Sequence, residues 1–284
     1  MLTALLRNWS FEVVAFEDGE QAWAALQLPD APKLLLIDWK MPQMDGLELT
    51  RRVRNLDGSP PYIIMVTAMD EKKHVIEGLN AGANDYVPKP FDPDILRARV
   101  NAGNRMLEMQ ASLIAARDTL AHEASHDSLT GILNRRAILE VLSRELSRAA
   151  RKKIAVAIGI LDINHFKVIN DTYGHNVGDE ALCGFVGRVK GALRDYDSFG
   201  RWGGDEFLVI SPDCTEADAK SLYERLCTAV AEPPIPTSGG ALAISTSLGL
   251  AMFTGSETED ELIAMADTAM YREKCDCHSQ ATSC

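Results

Sequence analysis

Two adjacent carboxylates, Asp205 and Glu206, follow two glycines in the run Arg201-Trp202-Gly203-Gly204-Asp205-Glu206-Phe207. Paired glycines tolerate the positive φ angles of a tight hairpin turn. The flanks, residues 197–202 and 207–210, read as short strands, so the acids sit at a rigid hairpin tip. Adjacent carboxylates beside a bare backbone suit a hard cation such as Mg²⁺, which takes oxygen ligands and shares them with a phosphate. Alone, Gly-Gly-Asp reads as readily as a solvated surface turn. The five-residue string 203–207 is rarer, with a chance occurrence on the order of 10⁻⁴ in such a chain. Other polar candidates precede it. Asp162 ends a long apolar strand at 154–161, and Asn170 and Asp179 follow. The stretch 165–178 between them is polar and punctuated by glycine, as a loop wrapped round a nucleotide would be. No Walker phosphate loop or dinucleotide fingerprint occurs.

The elements that must position these residues can be read from hydrophobic spacing. In the second half helices fall at 136–148, 180–193, 216–231 and 259–273, with a strand over 241–253 that includes Ser247-Leu248-Gly249. Together with the hairpin they form an α/β sheet containing antiparallel pairs. The first half opens on a helix-like stretch at 2–6 and an alternating strand at 11–16. Helices at 19–28, 47–55 and 72–81 then alternate with strands at 34–37, 62–66 and 85–87. That order implies a parallel sheet, whose functional residues lie at the carboxyl ends of the strands. Asp38, Thr67 and Lys89 fall there.

Between the halves no proline follows Pro93 until the second half begins. Ile95, Arg99, Ala102, Met106, Met109, Leu113, Ala116 and Leu120 recur at alternating steps of four and three. All but Arg99 are apolar, which supports a coiled-coil seam. The other reading is a helix packed on its own domain.

A chain of 284 residues has room for two ordinary domains, and 46% hydrophobic with 25% charged residues is a soluble globular balance. A net charge of −12 argues against a broad nucleic-acid or anionic-membrane surface, though not against a nucleotide held by a few local cations. No apolar run approaches a membrane span and no signal-peptide pattern occurs. The six cysteines (183, 214, 227, 275, 277 and 284) have no framework spacing, so free thiols in a reducing cytoplasm are expected. Cys275, Cys277, His278 and Cys284 crowd the tail as metal-ligand types, but no second well-spaced pair completes a site.

The string 203–207, with Asp127-Ser128-Leu129-Thr130-Gly131-Ile132-Leu133-Asn134-Arg135-Arg136 upstream, resembles the GGDEF family of diguanylate cyclases over about 127–274. The resemblance implies a nucleotide-cyclase-like palm of α/β class that condenses two GTP into cyclic di-GMP. It implies Asp162, the backbone carbonyl of Ile163 and Asp205 as ligands of two Mg²⁺ ions per GTP site, with Mn²⁺ able to substitute. Asp205, Glu206 and Lys167 become catalytic candidates. Asn170, His175 and Asp179 face the guanine, and Lys167 and Lys274 the triphosphate. Arg194 and Asp197, as Arg-x-x-Asp, match the family's product-inhibition site. Closing a symmetric dinucleotide needs two facing domains, hence a homodimer. Asn164 stands where a second Asp is common. His278 stands where the family usually has Arg. The alternative to an enzyme is a weak or inactive domain that senses cyclic di-GMP.

The first half resembles the response-regulator receiver domain, a flavodoxin-like fold. The residues are Asp38-Trp39-Lys40-Met41-Pro42 with Met44-Asp45-Gly46, then Thr67-Ala68, then Lys89-Pro90-Phe91. The resemblance implies Asp38 as phospho-acceptor for a sensor histidine kinase, Thr67 and Lys89 as phosphoryl contacts, and Tyr86 as a switching aromatic. The family's first strand and its acidic pair are not in this sequence. Either the chain starts upstream or the receiver is a non-phosphorylatable remnant. The domains expected are a truncated receiver at 1–93, a helical connector at 94–125 and the GGDEF domain at 126–284. No nucleic-acid or membrane partner is expected.

Overall fold

The computed structural model describes residues 1–68 and 72–281, the side chains of 72–75 and 275–281 excepted. It divides into two units, residues 1–118 and 119–284.

The first unit holds helices α1 (Leu2–Asn8), α2 (Gly19–Leu26), α3 (Gly46–Arg54) and α4 (Lys72–Asn80). Its strands are β1 (Leu34–Asp38), β2 (Tyr62–Ala68) and β3 (Asp85–Lys89), and helix α5 (Pro93–Ser125) follows them. The strands form one parallel sheet in the order β1-β2-β3. Asp18 and Asp45 start α2 and α3 by accepting the amides of Gln21 and Glu48 at 2.8 Å, the role an N-cap carboxylate serves. Leu96, Val100 and Gly103 bury the first turns of α5 on this unit. The division between the units falls within α5.

The expected strand at 11–16 does not form. Sequence alternation reports which side chains turn inward, and Phe11 and Val13 do pack beside Leu34 and Leu36. A strand also needs a neighbour to take its backbone hydrogen bonds. Among the described residues β1 pairs only with β2, and residues 11–16 join no ladder.

The second unit continues with α6 (Arg135–Lys152), β4 (Val156–Ile163), α7 (Phe166–Tyr173), α8 (His175–Ala192), β5 (Ser198–Gly203) and β6 (Glu206–Pro212). Then come α9 (Glu216–Ala231), β7 (Ile235–Thr237), β8 (Gly240–Leu242), β9 (Thr246–Phe253) and α10 (Glu259–Ala281). The main sheet has the order β5-β6-β4-β9, every pair antiparallel. All of β4 is buried. Leu161, Ile163, Phe207 and Val209 face α8 and α9, whereas Ile158, Ile160, Leu208 and Ile210 face α6 and α10. Period-2 alternation therefore assigns even-numbered positions of β4 and β6 to the α10 side.

Two expectations in this unit are corrected. The stretch 165–178 is not a loop but two helices meeting at Gly174, whose φ of +86° lets the chain turn. Phe166 and Ile169 recur at helical spacing and pack on the core, while Lys167, Val168, Asp171 and Thr172 face water. The strand over 241–253 is interrupted: residues 240–242 pair with 235–237 in a separate hairpin, and β9 begins only at Thr246. Among the described residues no helix is long and apolar enough to cross a membrane.

Candidate functional site

Gly203 pairs with Glu206 across the hairpin, leaving Gly204 and Asp205 as its turn. Gly204 has φ +54°, in the left-handed region that disfavours a side chain. Arg201 braces this turn. Its Nε donates to the Gly204 carbonyl at 2.8 Å, and its Nη1 donates to Asp127 Oδ1 at 3.1 Å. Burial pushes the Asp127 carboxyl up, but the Thr130 hydroxyl and amide and Arg201 outweigh it and hold the group below its usual range. The clamp joins Asp127, two residues past the end of α5, to the hairpin.

The hairpin's second strand sets Glu206 directly opposite Asp162 on β4. Both positions are even-numbered and face α10. Like charges opposed across two strands are destabilising, and a fold retains them for a reason other than stability. Lys274 on α10 answers the charge, its Nζ 2.8 Å from Asp162 Oδ2. Burial raises the Asp162 pKa first, and Asp205 adds to it against the pull of Lys274. Burial likewise raises Glu206, with Asp162 and Asp205 adding to it. Asp205 adjoins both, and its carbonyl accepts the Ile163 amide at 3.3 Å.

This donor set is all oxygen and under-compensated in charge, which fits a hard divalent cation. Among the described residues no three His, Cys, Asp or Glu side chains form a ready-made cage. A hard ion such as Mg²⁺ takes one or two carboxylates and completes its shell with phosphate oxygens and water.

Neighbouring contacts steady the site. Thr246 Oγ1 donates to the Asp162 carbonyl at 2.9 Å. Asn164 accepts from Ser247 Oγ at 2.8 Å and so ties the end of β4 to β9. Only Asn164 and His165 separate β4 from α7. Lys167 and Asn170 lie three apart on α7, and His175 and Asp179 four apart on α8, so each pair shares a helical face. Lys167, His175 and Asp179 are exposed and Asn170 is half-buried. Asn170 Oδ1 lies 1.9 Å from where a Cβ on Gly178 would stand, so only glycine leaves room for it. Gly178, Arg201 and Asp127 were not among the sequence candidates. Their roles depend on contacts between helices and across the fold that leave no local pattern.

Arg194 and Asp197 occupy the turn between α8 and β5. The Arg194 amide donates to Asp197 Oδ2 at 2.9 Å, and Arg194 Nη1 bonds the Tyr196 hydroxyl at 2.8 Å. Asp197 Oδ1 is buried without a hydrogen-bond partner among the described residues. The turn lines a cleft of about 370 Å³ with Lys190, His126 and Ile132.

In the first unit, Asp38 and Lys89 end β1 and β3, Thr67 is the last residue but one of β2 between them, and Lys89 Nζ donates to Asp38 Oδ2. Thr67 is buried. Tyr86 is half-buried under the Arg99 guanidinium, 5.6 Å from the ring centroid. The side chains of Cys275, Cys277 and His278, and all of Cys284, lie outside the described residues.

The profile of the diguanylate cyclase GGDEF domain matches residues 124–280, more than half of the chain. The chain belongs to the GGDEF family. The response regulator receiver domain matches residues 1–101, so the molecule joins a receiver domain to a GGDEF domain. It is 32% identical to the response regulator PleD of Caulobacter vibrioides over 249 residues, 85% of this chain and 54% of that protein. It is 36% identical to the diguanylate cyclase DosC of Escherichia coli over 154 residues, 54% of this chain and 34% of that protein. The chain thus spans about half the length of PleD and a third of DosC. Among solved structures, the coiled coil and GGDEF domain of DgcB from Caulobacter crescentus, in complex with c-di-GMP, superposes with a TM-score of 0.58. That match has 26% identity and covers 64% of this chain and 95% of that one. Diguanylate cyclase SiaD from Pseudomonas aeruginosa, in complex with its activator SiaC, gives 0.54 at 31% identity, covering 64% and 70%.

Proposed function

We propose that this GGDEF protein condenses two GTP molecules into cyclic di-GMP, releasing pyrophosphate at each of two steps. The observation that carries the reading is the opposed pair Asp162 and Glu206 with Asp205 at the adjoining tip. At each step a ribose 3′-oxygen bonds to the α-phosphorus of the other GTP. The α–β bridging P–O bond breaks, and the hydroxyl proton passes to Asp205. Asp162, the Ile163 carbonyl and Asp205 are the proposed ligands of two Mg²⁺ ions, with Glu206 assisting and Mn²⁺ as a substitute. Bound there, the metal lowers the hydroxyl pKa and neutralises the leaving phosphates. Lys167 and Lys274, the latter 2.8 Å from Asp162 Oδ2, are the proposed contacts of the triphosphate. Asn170, His175 and Asp179 orient the guanine. The protein's own contribution is positioning and charge stabilisation.

Two such domains must face each other, so the working unit is a homodimer. Asp38, with Thr67 and Lys89, is the proposed phospho-acceptor through which a sensor histidine kinase controls the encounter. The cytoplasm, whose reducing conditions keep thiols such as Cys183 and Cys214 unoxidised, is the proposed setting. Product inhibition is assigned to Arg194 and Asp197, at the turn that lines the cleft beside Lys190.

That cleft favours a second reading, a domain that binds cyclic di-GMP without making it. Incubation of the full chain with GTP and Mg²⁺, followed by chromatography, separates the two. Cyclic di-GMP should accumulate, and Asp205→Ala should slow it by about 10²–10⁴-fold with circular dichroism unchanged. Synthesis at near wild-type rate in Asp205→Ala would remove Asp205 from the chemistry. No synthesis by the wild type, with saturable binding of cyclic di-GMP, would establish the sensor.

A further inference from the structure

The end of α5 and the residue after it read His122-Glu123-Ala124-Ser125-His126, two histidines four apart in the H-E-x-x-H spacing, the His126 amide donating to the His122 carbonyl at 2.8 Å. Their rings stack with centroids 3.9 Å and planes 19° apart. The proposed cyclase chemistry uses neither.

The surrounding hydrogen bonds decide which nitrogen of His126 carries the proton. Ser125 Oγ lies 2.8 Å from the Ala121 carbonyl and 3.2 Å from that of His122, so its hydrogen goes to the backbone and its oxygen is left to accept. His126 Nδ1 lies 2.8 Å from that oxygen and 3.1 Å from the His122 carbonyl, which can only accept. Nδ1 therefore holds the hydrogen, and the neutral ring carries its lone pair on Nε2. A ring nitrogen donating to a backbone carbonyl while the other stays open is the arrangement found behind metal-ligating histidines. The exposed ring of His122 lies alongside.

We propose that His122 and His126 chelate a borderline divalent cation such as Zn²⁺ or Ni²⁺, at a site separate from the Mg²⁺ site of the hairpin. Imidazole pairs suit these ions, whereas Mg²⁺ prefers carboxylates and phosphates and does not compete. Among the described residues no third His, Cys, Asp or Glu completes the pair, so water fills the other positions. A catalytic zinc keeps three protein ligands, so this site is a clamp and not a hydrolytic centre. The clamp ties together the turn that leads into Asp127, whose carboxylate anchors Arg201 and the hairpin. A bound cation therefore stiffens the connection between the connector helix and the GGDEF turn.

Paramagnetic Ni²⁺ tests this on the full chain in excess Mg²⁺, read from the histidine Cε1–H resonances by NMR. Substoichiometric Ni²⁺ should broaden His122 and His126 together and leave His165 and His175 sharp. In His122→Gln, an exposed change, the His126 signal should survive the same Ni²⁺, and in His126→Gln the His122 signal should survive. Melting without Ni²⁺ should be the same in His122→Gln and wild type, which separates chelation from packing. Sharp His122 and His126 signals in wild type, or His126 broadening that persists in His122→Gln, would overturn the site.

Discussion

Glu206 carries its charge into a partly buried corner where burial raises its pKa and the Asp162 carboxylate opposite raises it further. A carboxyl raised by folding contributes stability below its unfolded pKa, near 4.3 for Glu. That contribution is lost as pH rises through the folded value. At neutral pH the folded domain therefore bears a penalty that a neutral isostere removes. Glu206→Gln should melt about 1–3 °C higher at pH 7.5, from a cross-strand repulsion of up to about 1 kcal/mol. The gain should shrink toward pH 4, where wild-type Glu206 is itself protonated. A lower melting temperature at pH 7.5, by calorimetry, would contradict the repulsion. A second change separates the product site from the reaction: Arg194→Ala should leave the initial rate nearly unchanged and abolish inhibition by added cyclic di-GMP. Inhibition curves that overlay would exclude Arg194. At this scale much was legible. The hairpin tip and the strand-end Asp162 follow from glycine chemistry and from one apolar run. The pairing of Lys274 with Asp162 was not, because it joins residues on β4 and α10 that only the fold brings together. The same holds for Arg201 and Asp127.

At the scale of elements, hydrophobic spacing recovered most helices and strands of both units, and it failed where partners decide the outcome. Residues 11–16 alternate like a strand yet join no ladder, whereas 166–173 look like a loop yet are held as helix by Phe166 and Ile169. Gly249 shows a constraint that no spacing reveals. A Cβ there would stand 1.9 Å from the Ala266 carbonyl oxygen and 2.3 Å from the Met270 amide, both main-chain atoms of α10 that cannot rotate away. Gly249→Ala should push α10 off β9 and cost about 1–3 kcal/mol, as overpacking of a core does. Lys274 rides on the same helix, so synthesis should fall as well. Gly187→Ala is the control, since nothing lies within 4 Å of the added methyl in the middle of α8. It should stabilise by about 0.5–1 kcal/mol through the unfolded chain. Thermal unfolding of the two variants should move in opposite directions, and a Gly249→Ala melt equal to wild type would show that α10 is free to shift.

For the whole molecule the question is what α5 does with its two kinds of apolar face. Leu96, Val100 and Gly103 are spent on the first unit, and a Cβ on Gly103 would stand 2.6 Å from the Tyr62 ring. The seam positions point elsewhere. Met106, Met109, Leu113 and Leu120 are 51%, 63%, 72% and 65% exposed, while Arg99, the polar member of the seam, is bound to Asp85. The sequence left two readings of this helix, and the packed face accounts only for its first turns. An exposed heptad seam between a receiver and a GGDEF domain is what the proposed homodimer would close over. Removing Leu113 from such an interface costs about 1.5–3 kcal/mol of burial per side chain. A homodimer loses two such side chains, so Leu113→Glu should weaken self-association by about 10²–10⁴-fold, with each domain still folded. In the proposed reaction two active sites meet, so specific activity should fall most steeply at low protein concentration and recover as concentration rises. Sedimentation equilibrium and rates measured over the same dilution series check this together. An unchanged association constant would move the dimer contact off the seam, and a rate loss that concentration does not rescue would show that Leu113 acts within one chain.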